Sequence, residues 1–339
     1  MRCARARSES RGEVLSRKPM DGRGMPIDVI YIAGAPRSGT TILSQLLGEL
    51  PGLFNVGEAR FLWRQVLSSG RCGCGTRLIA CDFWREVLTD SPVPSGDDRT
   101  RTLAAAALTH SRLRTLPWEL VVRRLGGSLP RALREHAAAT IAVYHAAAAA
   151  AHASAIVDAS KSPSFAYALT ASEGVRLHVV HVVRDPRAVV HSWLRSQSGA
   201  SARVRGRGVL YSALKWSAWN VLTELIVRPS AATYARLRYE DVARAPAALL
   251  SHIAPLASQA GPGGRIGLLE GETSVVELST NHTVFGNGQR FISGPVRVEP
   301  DEEWRVAMSR RARATVIAFT WPLLRRYGFN GRDLRRIAL

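Results

Sequence analysis

Lysine is almost missing from this chain. Its 339 residues include 46 lysines and arginines, yet only Lys18, Lys161 and Lys215 are lysine, and the formal net charge is +19. Arginine holds nearly every cationic position, so a retained lysine marks a place that wants a compact ammonium. Cysteine is scarce as well, with Cys3, Cys72, Cys74 and Cys81 the full set. That is no disulfide framework, and it suits an intracellular, cytoplasmic chain. No uncharged apolar run has the length of a membrane span. The best candidate, residues 137–153, is mostly alanine and is broken by His145 and His152. Residues 1–24 are rich in Arg, Ser and Gly and lack the apolar core of a secretory signal. They read as part of a disordered tail (1–25) outside the fold, or as sequence upstream of a true start at Met20 or Met25. The arginines are dispersed, without a basic helix or an aromatic–basic repeat, which argues against a nucleic-acid partner. A polyanionic substrate or cofactor is the better beneficiary of the charge.

What is present is organised around residues 28–47, DVIYIAGAPRSGTTILSQLL. Val29, Ile30, Tyr31 and Ile32 suit a buried strand. A turn through Gly34, Ala35, Pro36, Arg37, Ser38 and Gly39 follows. From Thr40, the residues Ile42, Leu43, Leu46 and Leu47 recur at helical spacing. Strand, small-residue loop and helix make an anion cradle, because loop N–H groups and the positive helix end converge. The interval from Gly34 to Gly39 matches the start of G-x-x-x-x-G-K-[ST]. Thr40 replaces the lysine, and the cation has moved inside the loop to Arg37. A lysine after the second glycine serves nucleotide β/γ-phosphates beside a metal; an arginine fork at mid-loop grips an oxyanion directly.

Further along, Leu53–Val56 reads as a second strand, leaving Glu58 near its C-terminal end, where open α/β sheets bind ligands. Residues 59–153 read as a helical insertion, broken at 91–98, near Pro117 and at Pro130, with one long helix over 131–153. Cys72, Cys74 and Cys81 cluster at its start. With Cys3 in the tail and no neighbouring histidine, a local disulfide or a packed turn is expected there in preference to zinc. A third strand, Ala155–Val157, exits through Asp158, Ser160 and Lys161. Leu177–Val183 is a fourth, running into Arg184 and a helix that Asp185 caps and Pro186 opens. Arg184 and Ser192 converge there on a second phosphate-type pocket. A helix over Val209–Val227, a fifth strand over Thr233–Leu237 ending at Tyr239, a helix over 247–256, a loop at 261–264 and a final helix over Ala314–Tyr327 complete the reading.

The residues A-P-R-S-G-T-T resemble the 5′-phosphosulfate loop of sulfotransferases that use PAPS, the 3′-phosphorylated adenylyl sulfate. The segment from Arg184 to Ser192 resembles their 3′-phosphate motif, Tyr239-Glu240-Asp241 their Y-E-D segment, and residues 286–291 their late basic loop. Residues 72–84 and 323–329 are similar to a bacterial branch of the family. The resemblance implies a P-loop NTPase-like α/β fold, a parallel sheet flanked by helices with a helical insertion between the second and third strands, over residues 26–339. It implies PAPS as co-substrate, PAP as product, no metal requirement, and a small-molecule or carbohydrate acceptor bearing a hydroxyl or amine. The carried-over donor-site residues are Arg37, Ser38, Gly39, Thr40, Thr41, Arg184, Ser192, Tyr239 and Arg290. The carried-over catalytic residues are Glu58 as base and Lys161 and Arg37 on the reacting group; should Glu58 prove dispensable, Asp158 is the alternative base. The histidine two residues after a lysine in the small-molecule branch is replaced here by Ser160-Lys161-Ser162-Pro163, which is closer to the glycosaminoglycan branch. Rival readings are a P-loop kinase, which would need the missing lysine after Gly39, and a non-catalytic nucleotide-binding module, which would not need Glu58 and Lys161 beside Arg37.

Overall fold

The computed structural model describes residues 25–91, 97–109, 127–198, 208–246 and 275–329. The expected tail over 1–24, the break at Pro117, the helix over 247–256 and the loop at 261–264 lie outside the described residues. Five strands are present in the main sheet: β1 (Ile27–Ala33), β2 (Leu53–Gly57), β3 (Ala155–Lys161), β4 (Val175–Val183) and β5 (Thr233–Arg238). They lie in the order β2-β3-β1-β4-β5 and every neighbouring pair is parallel. A parallel sheet needs crossovers that cover both faces, so its central strands read as continuous apolar runs. β1 shows why. Val29, Tyr31 and Ala33 pack on one side with Tyr144 and Phe165, while Ile30 and Ile32 pack on the other with Leu43, Leu46 and Leu47.

The first of those crossovers is α1 (Thr40–Gly48), entered through Gly39 in left-handed backbone, φ 80°. Between β2 and β3 the chain forms α2 (Leu62–Leu67), α3 (Asp82–Asp90), α4 (Asp97–Thr109) and α5 (Arg131–Ala150), with no sheet strand among the described residues. The alanine tract of α5 matches its high helical propensity. It ends at Ala150, earlier than expected, because His152 turns to left-handed backbone at φ 49°. Beyond β3 come α6 (Pro163–Thr170), capped by the Ser162 hydroxyl, α7 (Pro186–Ser198) and α8 (Val209–Leu222). The expected continuation of α8 to Val227 is instead a π-turn over Thr223–Val227. The Thr223 hydroxyl donates to the Trp219 carbonyl (2.8 Å), the kind of back-bond that bends a helix.

β5 passes directly into α9 (Tyr239–Arg244). A separate antiparallel pair, β6 (Val275–Leu278) and β7 (Gly294–Arg297), follows. Then come α10 (Trp304–Ala307) and α11 (Arg310–Arg326). α11 starts four residues before the expected Ala314, since Ser309 caps it by accepting from the Ala312 N–H. No helix among the described residues is long and apolar enough to cross a membrane.

One boundary matters for the site. β3 continues through Asp158, Ala159 and Ser160 to Lys161, with an irregularity in its pairing to β1 between Tyr31 and Ala33. Asp158 is therefore strand interior and fully buried, not part of an exit loop. β1 lies between β3 and β4, so the chain leaves the sheet in opposite directions on its two sides. Open α/β sheets hold ligands above such a switch point. The tips of β1, β3 and β4 carry the loop 34–39, Lys161 and Arg184.

Candidate active site

Above these tips lies a cleft of about 360 Å³. Its floor is the β1–α1 loop, where Arg37 is held in left-handed backbone, φ 73°. Such a conformation costs an ordinary residue about 1–2 kcal/mol. It is kept here because Arg37 is anchored at both ends. Its Nε donates to the Ser192 hydroxyl (2.9 Å), and its carbonyl accepts from Arg184 Nη1 (3.0 Å). The β1–α1 loop and the start of α7 are thereby tied together. Gly39, Thr40 and Thr41 line the cleft at the start of α1, whose first N–H groups have no intrahelical acceptor. A side chain at Gly39 would collide with the Tyr239 ring, its Cβ lying 2.0 Å from Cδ2. Ser38 stays below the loop: its N–H donates to the Ala35 carbonyl (3.2 Å) and its buried hydroxyl has no partner.

Arg184 directly follows β4 and is almost fully buried. Its guanidinium stacks on Tyr239, 4.6 Å from the ring centroid. Nη2 donates to the Asp301 carbonyl (2.9 Å) and pairs with its carboxylate (3.1 Å), while Nε has no hydrogen-bond partner. Tyr239 donates its hydroxyl to the Glu299 carbonyl (3.2 Å). Arg195, one helical turn beyond Ser192, lines the same cleft. Burial lowers the pKa of Arg37, and the Arg195 and Arg184 guanidinia lower it further. Arg37 is thus repelled by two neighbouring guanidinia, and an anion among them would relieve the repulsion.

On the other side, Glu58 and Lys161 meet at 2.5 Å. Both are nearly buried and both line the cleft. Glu58 follows β2. Its second oxygen lies 3.9 Å from Arg60, whose side chain is stacked on Phe61 (4.1 Å). Lys161 closes β3 in left-handed backbone, φ 66°, and Trp219 Nε1 donates to its carbonyl (3.1 Å). Strained backbone at two cations of one cleft is the pattern expected of a functional site.

Two sequence expectations are not met by this geometry. Arg290 turns away from the cleft. Its guanidinium donates to the carbonyls of Thr283 and Arg71 (2.8 Å each) and is buried. The late loop instead lines the cleft with Gly286, Asn287 and Gln289. Asp158, the alternative base, is sealed in the sheet. It accepts from Tyr144 and from the Ser160 N–H (2.6 Å), and burial raises its pKa to about 6. The cysteine expectation also changes. Cys72, Cys74 and Cys81 carry free thiols, and a histidine does join them: His282, 210 residues after Cys72.

Sequence reasoning missed Gln45, Arg195, Arg297 and Asp301, which also line the cleft. Arg195 was open to detection from its spacing to Ser192. The others come from elements whose approach only the fold determines.

Among curated proteins no match is found. Among solved structures, the sulfotransferase domain from the curacin biosynthetic pathway is similar at a TM-score of 0.50 and 15% identity, covering 89% of this chain and 98% of that one. The sulfotransferase domain from the Synechococcus PCC 7002 olefin synthase has a TM-score of 0.49 at 16% identity, covering 91% and 98%. The likeness to the curacin-pathway domain speaks to the fold alone, a P-loop NTPase-like parallel sheet flanked by helices. The model of the sulfotransferase family matches residues 28–256, a span that takes in the β1–α1 loop, Glu58, Lys161, Arg184 and Ser192. The chain therefore belongs to the sulfotransferase family, and is a transferase.

Proposed function

We propose that this transferase moves a sulfuryl group from PAPS to a hydroxyl or amine of a small-molecule or carbohydrate acceptor and releases PAP. One observation carries the reading. Arg37 and Arg184, each expected to serve an anionic pocket, line one cleft and are joined through the Arg37–Ser192 and Arg184–Arg37 hydrogen bonds. A single bisphosphorylated nucleotide can reach both. The residues fit such a ligand in two further ways. Arg184 Nε is buried without a partner, and the repulsion that Arg195 and Arg184 exert on Arg37 is of the sign an anion removes.

PAPS supplies an activated sulfuryl group on a good leaving group. Arg37, Gly39, Thr40 and Thr41 would hold its 5′ side. Arg184, Ser192 and Arg195 would hold the 3′-phosphate, with Tyr239 beside the adenine. In-line transfer builds negative charge on the equatorial and bridging oxygens. Lys161 and Arg37, fixed before reaction, would stabilise that charge without reorganisation. Glu58 would take the acceptor proton. In the resting cleft it is paired with Lys161, so an acceptor entering between them would free the carboxylate and leave the ammonium for the sulfuryl oxygens.

Glu58 and Lys161 line the same cleft as Arg37, which weighs against a binding module without chemistry. Thr40 in place of the P-loop lysine weighs against a kinase. Calorimetry with PAP, ATP and AMP tests the donor assignment. Tight PAP binding without magnesium, with ATP and AMP much weaker, is the expected result; equal or magnesium-dependent ATP binding would overturn it. A screen of hydroxylated and aminated acceptors with labelled donor then tests transfer itself.

A further inference from the structure

Outside the cleft, four potential metal ligands converge. The Sγ atoms of Cys72, Cys74 and Cys81 and a ring nitrogen of His282 all lie within 4.8 Å of one another. Cys74 and Cys81 sulfurs are 3.8 Å apart, and His282 Nδ1 is 3.5 Å from the Cys72 sulfur and 3.3 Å from that of Cys81. A tetrahedral ion with zinc–sulfur bonds near 2.3 Å and zinc–nitrogen bonds near 2.0 Å has edges of roughly 3.8 Å between sulfurs and roughly 3.5 Å between sulfur and nitrogen. The three edges measured above follow those figures closely. We propose that Cys72, Cys74, Cys81 and His282 form a structural site for one zinc ion.

The surrounding chain holds each ligand in place. Cys72 and Cys74 sit on a tight turn, closed by the Gly75 N–H to the Cys72 carbonyl (2.9 Å) and the Cys72 N–H to the Thr76 carbonyl (2.8 Å). Residues two apart on such a turn direct both sulfurs to one side. Cys81 is the residue at the N-terminal cap of α3. The imidazole of His282 stacks on Phe83, centroids 5.0 Å apart at 19°, and Trp84 Nε1 donates to the His282 carbonyl (2.6 Å). The Thr76 hydroxyl lies 3.1 Å from the Cys74 sulfur, the kind of outer contact that tunes a ligand. Gly73 fits only as glycine: an added Cβ would lie 2.0 Å from the Asn281 carboxamide oxygen.

A Cys74–Cys81 disulfide would use two of these groups and would give no reason for a histidine nitrogen to approach two sulfurs. The three-thiolate, one-imidazole set is a soft tetrahedral donor set that selects zinc over magnesium or calcium. Binding would release three thiol protons and leave a site of net charge −1. Arg290, bonded to the Arg71 carbonyl next to Cys72, brings a compensating cation. None of the four ligands lines the cleft. The ion would instead fasten the start of the insertion to the segment 281–291, which supplies Gly286, Asn287 and Gln289 to the cleft. This site does not depend on the sulfotransferase chemistry proposed above.

The test is metal analysis of the full-length chain, purified under reducing conditions without chelator. One zinc per chain by elemental analysis and native mass spectrometry is expected. Cobalt(II) exchanged into it should give the ligand-field and sulfur-to-metal charge-transfer bands of a tetrahedral thiolate centre. Cys81→Ser and His282→Ala should lose at least tenfold in bound zinc, whereas His282→Cys and Cys3→Ser should keep it. Stripping the metal should speed amide exchange over 281–291, a readout independent of PAP or turnover. The proposal is overturned if reduced wild-type chain neither holds nor takes up zinc, if the intact mass shows a disulfide in its place, or if the Cys81→Ser protein binds a full equivalent.

Discussion

Arg37 and Lys161 both occupy backbone that a side chain disfavours, and both turn a cation into the cleft. The strain is a residue-scale record of what the site demands: the loop and strand end curl tightly enough that glycine would be easier, yet a charge is kept. Arg184 is the most committed of the cleft cations, since it is buried, stacked on Tyr239 and short of one partner. Removing a charge-assisted hydrogen bond of this kind costs about 1.5–3 kcal/mol. Arg184→Ala should therefore weaken PAP binding roughly ten- to a hundredfold, with a smaller change in kcat at saturating donor, as calorimetry and steady-state kinetics can measure. Unchanged PAP affinity would remove Arg184 from the 3′-phosphate pocket. Glu58→Gln keeps the shape of the acid and loses the proposed base. Turnover should fall about 10²–10⁴-fold with PAP affinity retained; undiminished kcat would mean that the proton leaves by another route, and Asp158, sealed beneath Tyr144, is no substitute.

At the scale of elements, some boundaries were legible in the sequence and others were not. The unit β1–loop–α1 reads directly, because strand, turn and helix are each encoded by adjacent residues. The β4–α7 junction reads for the same reason, through Asp185, Pro186 and the spacing to Ser192. The length of β3 does not. Asp158 and Ser160 look like loop residues, and what keeps them in a strand is the Tyr144 hydroxyl on α5 together with the parallel pairing to β1, neither of which is local. The orientation of Arg290 and the approach of His282 to Cys72 are further cases in which a distant partner decides. α11 gives an element-scale prediction. Its cap rests on the Ser309 hydroxyl accepting from the Ala312 N–H, and the helix buries Leu324 against the cluster of Trp216 and Trp219. Ser309→Ala should cost about 1 kcal/mol in urea unfolding and leave transfer activity unchanged. A loss of activity without loss of stability would show that α11 does more than buttress.

For the whole molecule, buried titratable groups set how stability follows pH. Glu240 accepts from the Asp185 N–H (3.1 Å), while its second oxygen is buried without a partner. Burial raises its pKa from the ordinary 4.5 to about 7, so the folded protein favours the neutral acid. That contribution is present below pH 4.5 and lost as pH rises through 7, a change of about 3 kcal/mol. Asp158, raised to about 6, has the same sign over a lower window. His181, lowered to about 4 by burial, has the opposite sign: its contribution is present above 6.5 and lost as pH falls through 4. Asp158 and His181 thus oppose one another in acid, and Glu240 dominates near neutrality. Glu240→Gln, which keeps an acceptor for Asp185, should be more stable than wild type at pH 8 and lose that advantage by pH 4.5, as denaturation at each pH would reveal. A parallel pair of stability curves would refute it. The carboxylate of Asp301 on Arg184 bears on the molecule as a whole. If the cleft takes the proposed donor, Asp301 is a tethered rival that the incoming nucleotide would have to displace from Arg184 before seating. A dianionic 3′-phosphate would do so under the proposed function, while AMP would have nothing to offer at that position. Discrimination then comes from the threshold for eviction as much as from the fit of the pocket. Asp301→Asn should tighten PAP binding severalfold and narrow the gap between PAP and AMP in calorimetry; an unaltered PAP-to-AMP ratio would mean that the tether is decoration and selectivity lies wholly in the arginines.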